Sequence, residues 1–280
     1  MSKIQVNDAY LGVEIREPAG TTSGTLVMLH GFTSSAAGWG EHLEVFARDG
    51  LRVIALDMLG HGESDAPAKF ERYSIEHCCE DIVAALRMLD VQEGEAILLG
   101  YSMGGRIALY TAFSGFFRAL ILESASPGIE DAVERAERAA SDEELARRIE
   151  RDGVPAFVDY WENIPLFTSQ QTLPEEVKAA LRTQRLHNRA DGLANSLLGV
   201  GTGAQPPLYA ALPELHIPVL LLVGELDNKF TSLGRLMQQL LPQAELCIVP
   251  NAGHAVHLEQ PVLFQQHVMA FCTRILPELS

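Results

Sequence analysis

Short runs of consecutive apolar residues alternate along the chain with longer stretches whose apolar positions recur every three or four residues. Residues 26–29, 53–56, 96–99, 119–122 and 218–224 are the runs, of a kind suited to parallel strands covered on both faces. Residues 245–249 predict the last strand, and residues 4–6 and 11–15 predict two short opening strands paired as a hairpin at the sheet edge. Helical spacing is expected over 39–49, from the candidate N-cap Ser74 through Ile75, Ile82, Ala85, Leu86 and Leu89, after residue 102, over about 232–241, and over about 259–275. Strands alternating with helices predict an α/β fold, with a mainly parallel eight-stranded sheet flanked by helices.

The alternation lapses from about 129 to 207. No strand-like run occurs there, and Arg, Glu and Ala recur at helical spacing with stops at Asp152-Gly153, Ile164-Pro165 and Leu173-Pro174. Phe157, Trp161, Leu166 and Phe167 in this stretch need a surface to pack on. A helical cap inserted over the functional site meets that need. The expected division is a core segment 1–127, a cap 128–207 and a second core segment 208–280.

The run at 96–99 leads into Gly100-Tyr101-Ser102-Met103-Gly104, which fits G-x-S-x-G between a strand and a helix. Glycines two residues before and after Ser102 keep side chains out of a crowded turn. Ser102 Oγ would then stand at the carboxyl end of the sheet, beside a helix N-terminus. A hydroxyl needs a neighbour to take its proton and a third group to hold that neighbour's tautomer. Asp227 follows the penultimate strand and His254 the last, so both belong at the same edge, in the order Ser…Asp…His that marks the α/β-hydrolase fold. Asp57 competes for the acid but precedes the serine. Glu225 competes too, though Asp227 lies further beyond its strand. His257 competes with His254, which sits at the tip of Asn251-Ala252-Gly253-His254. The amides of Phe32, in the turn His30-Gly31-Phe32-Thr33, and of Met103 are the expected oxyanion donors. His30 itself fits a turn-stabilising role.

Composition narrows the partners. The 280-residue chain carries a formal charge of −16, which argues against nucleic acid and anionic membrane surfaces. Cys78, Cys79, Cys247 and Cys272 lack metal spacing, the adjacent pair cannot readily bridge, and the first residues lack a signal-peptide run. A cytoplasmic protein is expected. In so acidic a chain, Arg106 stands out one helical turn beyond Ser102. Arg135 with Arg138, and Arg185, lie in the cap. Each can also be a solvated charge paired with the abundant glutamates.

Gly-Tyr-Ser-Met-Gly-Gly-Arg (100–106), Ser-Pro-Gly-Ile (126–129), Arg-Ala-Glu-Arg (135–138), Tyr-Trp-Glu-Asn-Ile-Pro-Leu-Phe (160–167), Gly-Thr-Gly-Ala-Gln-Pro (201–206) and Gly-Glu-Leu-Asp-Asn-Lys-Phe (224–230) together resemble one family. It is that of the 2-succinyl-6-hydroxy-2,4-cyclohexadiene-1-carboxylate synthases, pyruvate-eliminating lyases of menaquinone biosynthesis. The resemblance runs through nearly the whole chain, and the cap segments are its specific part. It implies Ser102, Asp227 and His254 as the triad, with Tyr101, Arg106, Arg138, Trp161 and Arg185 lining the substrate pocket. It implies a small, strongly anionic substrate, a serine acting as a base, and neither metal nor organic cofactor. The alternative is an ester or carbon–carbon hydrolase using the same triad. A non-catalytic ligand receptor on the same scaffold is a third.

Overall fold

The apolar runs become the strands of one sheet in the structure, a computed structural model that describes residues 2–276. The strands are β1 (Ser2–Val6), β2 (Ala9–Arg16), β3 (Thr25–Leu29), β4 (Arg52–Leu56), β5 (Ala96–Tyr101), β6 (Ala119–Glu123), β7 (Val219–Gly224) and β8 (Ala244–Val249). Their spatial order is β1-β2-β4-β3-β5-β6-β7-β8; β1 and β2 pair antiparallel, β2 meets β4 antiparallel, and all further neighbours are parallel. This is the expected mainly parallel eight-stranded sheet with an opening hairpin at one edge. Residue 1 and residues 277–280, the outer ends of the two expected core segments, lie outside the described residues.

Both faces of the sheet are buried, which is why β3, β5 and β6 are apolar at consecutive positions rather than alternate ones. Val27, Leu29, Leu98 and Leu120 join one core with helices α2 (Ile75–Met88) and α3 (Met103–Ala112). Leu26, Met28, Ile97 and Ile121 join the other, with α1 (Glu41–Arg48) and the C-terminal helix Pro261–Ile275. Ser74 caps α2, its hydroxyl accepting from the His77 amide.

Two expected helices divide. Gly40, at φ +51°, separates a short turn at Ala36–Trp39 from α1. The helix expected from about 259 becomes a turn at Val256–Glu259 and a helix that starts at Pro261, because Gln260 between them, at φ −137° and ψ 63°, is not helical. A third expectation moves: the helix placed at about 232–241 runs Asn228–Leu240.

Between β6 and β7 stand α4 (Ala132–Trp161), α5 (Glu175–Leu186) and α6 (Ala190–Val200). Gly153, at φ +81°, kinks α4 at the expected stop. Ile149, Phe157, Val158, Leu193 and Leu197 make a separate core in these helices, against which Phe32 and Trp161 pack. Helix α6 seats directly on the body of the protein, since a methyl on Gly192 would overlap the Gly60 carbonyl oxygen. The Leu208 amide donates to the Pro127 carbonyl at 2.8 Å, where the chain returns from this excursion.

Candidate active site

The turn after β5 is as tight as its glycines require. Ser102 sits at φ +52°, ψ −108°, a backbone position costly for a residue with a side chain. Methyls on Gly100 and Gly104 would overlap the Gly104 and Leu29 carbonyl oxygens. The Ser102 amide donates to the Glu123 carbonyl at 2.9 Å, which pins the turn to β6.

Ser102 Oγ lies 2.9 Å from His254 Nε2, and His254 Nδ1 lies 2.8 Å from Asp227 Oδ2. With the Nδ1 proton held by the carboxylate, Nε2 is left to accept from the serine hydroxyl. Asp227 uses its other oxygen to accept from the Phe230 amide at 3.2 Å, capping the helix Asn228–Leu240. One side chain thus starts the helix and orients the imidazole. The rings of Phe230, Tyr101 and Phe167 lie 4.6, 5.5 and 6.1 Å from that of His254 and shield it.

Each rival residue has another task. Asp57 accepts from the Ala36 amide at 2.6 Å and the Glu63 amide at 2.8 Å, stapling two loops. Glu225 accepts from the Asn251 amide at 3.2 Å. His257 pairs through Nδ1 with the buried Glu123 at 2.8 Å. His30 donates from Nδ1 to the Gly31 carbonyl at 2.8 Å and accepts at Nε2 from the Met58 amide, and burial holds its pKa below the usual value. That is the turn-stabilising role expected for it.

Met103 opens α3, so its amide has no intrahelical acceptor. Among the described residues, neither it nor the Phe32 amide donates a hydrogen bond. Both residues line the cavity that holds Ser102 and His254.

Tyr101, Arg106, Arg138 and Trp161 line the same cavity. Burial, with the Glu123 charge second, raises the Tyr101 phenol well above its usual range, so it stays a neutral donor. Arg106 is 8% exposed, and its Nη1 donates to the Val200 carbonyl at 2.8 Å and to Gln205 Oε1 at 3.1 Å. Among the described residues no carboxylate pairs with it. Burial first, then the neighbouring Arg138, lowers its pKa to about 10. Arg138 is more exposed, and its Nε donates to Asp142 at 2.8 Å. Trp161 packs edge-on to Phe32 at 5.4 Å, with its indole nitrogen buried and unpartnered.

Arg185 is placed elsewhere. Its guanidinium stacks on the Phe167 ring at 5.3 Å, donates to Gln170 at 3.2 Å, and faces cavities beside and behind that ring. Phe167 lines those cavities and also the one that holds Ser102, which Arg185 does not line. The azimuth of α5 decides this, and it depends on packing among the helices between β6 and β7.

Several lining residues went unnamed in the sequence, Lys229, Phe230, Ser124 and Ser126 among them. Lys229 and Phe230 lie two and three residues beyond Asp227, and that nearness was an available signal. Ser126 and Ser124 lie just past β6; Ser124 is wholly buried at φ +48° with its hydroxyl unpartnered. Nothing in its sequence context marks it. Among the described residues, no group of three or more His, Cys, Asp or Glu could hold a metal ion, and no helix is long and apolar enough to cross a membrane.

Comparison with known proteins places these features in a lineage. Residues 24–261 match the family described as alpha/beta hydrolase fold. The chain is 46% identical over 255 residues to a Bacillus subtilis (strain 168) protein provisionally named 2-succinyl-6-hydroxy-2,4-cyclohexadiene-1-carboxylate synthase, covering 90% of this chain and 92% of that one. The synthase of that name from Salmonella paratyphi C (strain RKS4594) is 33% identical over 242 residues, covering 85% of this chain and 89% of its own. The solved structure of MenH from S. aureus superposes with a TM-score of 0.89 at 34% identity, covering 94% of this chain and 98% of that one.

Proposed function

Because the chain belongs to the 2-succinyl-6-hydroxy-2,4-cyclohexadiene-1-carboxylate synthases within the α/β-hydrolase fold, we propose that Ser102, His254 and Asp227 eliminate pyruvate from 2-succinyl-5-enolpyruvyl-6-hydroxy-3-cyclohexene-1-carboxylate. His254 takes the Ser102 proton, and the serine oxygen removes the ring proton at C2, α to the succinyl ketone. The amides of Phe32 and Met103 stabilise the enolate that forms. As the ketone re-forms, the C2 electron pair makes C2=C3, the C3=C4 pair shifts to C4=C5, and the C5–O bond breaks. Pyruvate leaves as its enolate and takes up a proton. Ser102 acts as a base throughout, and no acyl-enzyme forms.

One observation carries the choice of an anionic substrate: a buried guanidinium, Arg106, shares a cavity with the triad and is bonded only to neutral acceptors. An uncompensated buried charge is costly, and a substrate carboxylate offsets that cost through a planar, two-point contact. Tyr101, Arg138 and Trp161 complete the proposed pocket. In the same reading Arg185 contributes from behind Phe167, and residues 128–207 form a cap between core segments 1–127 and 208–280. The acidic chain supports a reading without nucleic-acid or anionic-membrane partner, and its four free cysteines support a cytoplasmic enzyme.

The test is pyruvate release from the enolpyruvyl substrate by the purified protein, beside turnover of a simple aryl ester. Fast pyruvate release without an acyl-enzyme burst is expected. A burst with the ester at comparable rate would support the hydrolase alternative instead.

A further inference from the structure

We infer that Gln205 is a positioning residue, holding the Arg106 guanidinium through a neutral amide so that its charge stays available to a substrate carboxylate; this rests on the reading that Arg106 meets one. Arg106 projects from α3 one turn beyond Ser102, and its two acceptors, the Val200 carbonyl and Gln205 Oε1, come from the end of α6 and the segment after it. Both bonds use Nη1. Of the five guanidinium hydrogens, those on Nε and Nη2 have no partner among the described residues, which suffices for a bidentate grip on a carboxylate. The nearest acid that pulls on Arg106 is Asp142, already bonded to Arg138 Nε and the Gly203 amide.

Gln205 is the wrong residue for stability alone. It is 1% exposed, and its Nε2 is buried without a partner. Glutamate has nearly the same shape, would remove that unpartnered donor, and would give the buried guanidinium a charged acceptor. It would also occupy Arg106 permanently. A neutral acceptor fixes the orientation without neutralising the charge, and that is the arrangement a site for an anion requires.

The experiment compares wild type, Gln205→Glu and Gln205→Met in two backgrounds, native Arg106 and Arg106→Ala, by thermal unfolding and steady-state pyruvate release. With Arg106 present, Gln205→Glu is expected to raise the melting temperature and raise KM roughly tenfold or more, while kcat changes less. Gln205→Met, which keeps the length and loses the acceptor, should lower the melting temperature and reduce kcat/KM. In the Arg106→Ala background, Gln205→Glu should lower the melting temperature, because its carboxylate is then unpaired. Succinate at millimolar concentration should protect the wild type against unfolding more than it protects Gln205→Glu. A wild-type KM in Gln205→Glu, or the same change in melting temperature in both backgrounds, overturns the inference. If the wild type releases no pyruvate, the substrate assignment fails separately. The melting-temperature cycle and the succinate comparison still decide the role of Gln205.

Discussion

Two acid–imidazole pairs stand near one another at the carboxyl edge of the sheet, and only one of them faces a hydroxyl. Asp227–His254 and Glu123–His257 both join through Nδ1 at 2.8 Å, and all four side chains are buried. The far nitrogen of His254 meets Ser102. The ring of His257 is instead packed among Trp39, Tyr101 and Phe264, at 4.9, 4.7 and 5.9 Å. Glu123 also accepts the His257 amide at 3.0 Å, so that pair fastens the turn at Val256–Glu259 to β6. Like pair chemistry leaves one imidazole facing a hydroxyl and makes a clamp of the other. What the second nitrogen reaches makes the difference.

The widest separation should come from deleting one member of each set. Ser102→Ala and His254→Ala are expected to slow pyruvate release on the order of 10²–10⁴-fold with little change in melting temperature. His257→Ala leaves Glu123 as an uncompensated buried charge, so urea unfolding should show a loss of about 3–5 kcal/mol. Turnover per folded molecule should stay within about tenfold of wild type. If both histidine variants fold equally well and lose equal turnover, the contrast collapses.

Next in size is the effect of Arg106→Ala. It should raise KM and lower kcat/KM by roughly ten- to a thousandfold, about 1.4–4 kcal/mol. Lysine should restore only part, having the charge without the planar fork. Arg138→Ala should cost less, since that side chain is 40% exposed and already pairs with Asp142. Equal kinetic effects of the two alanine variants would place the anion nearer Arg138.

A pH series extends the contrast to other sealed imidazoles. Burial lowers His42 to about 4 and His61 to about 3. In the unfolded chain both titrate near pH 6.5, so below that pH the unfolded state binds the extra protons. Their contribution to stability is complete above about pH 6.5 and is lost as pH falls toward those lower values, by up to about 1.4 kcal/mol per pH unit for each. Urea midpoints at several pH values between 7.5 and 4 should fall accordingly, and a flat profile would contradict neutral burial of these rings.

The smallest expected effect belongs to Arg185→Ala. Losing its stack on Phe167 should reduce stability by about 0.5–2 kcal/mol and raise KM less than Arg106→Ala does. A larger KM effect than at Arg106 would mean that Phe167 swings aside to admit the substrate to Arg185.

Where local pattern decided the outcome, the sequence was readable. Unbroken apolar runs announced β3 to β7, and the glycine spacing around Ser102 announced the strained turn. The loop position of His254 separated it from His257, although nothing in the sequence foretold that His257 would find Glu123. Arg185 was beyond reach because its direction depends on how α5 rolls against Phe167. Gln205 was passed over inside a quoted motif, since a neutral amide carries no charge or periodicity to draw notice. The helix after β7 began four residues early because Asp227 caps it while also holding His254, and a residue with two tasks blurs the signal for either.

The contact between Pro127 and Leu208 has a consequence for how such proteins diversify. Chain leaves the sheet and comes back through a single hydrogen-bonded doorway, and the Tyr209 hydroxyl adds a second tie to the Gly128 carbonyl at 3.3 Å. The entropy of closing an excursion grows only with the logarithm of its length, about 0.6 kcal/mol per doubling. Lengthening, shortening or exchanging what hangs outside that doorway therefore perturbs closure of the sheet very little. A chain can keep its serine, imidazole and carboxylate in register while everything hung between β6 and β7 is exchanged.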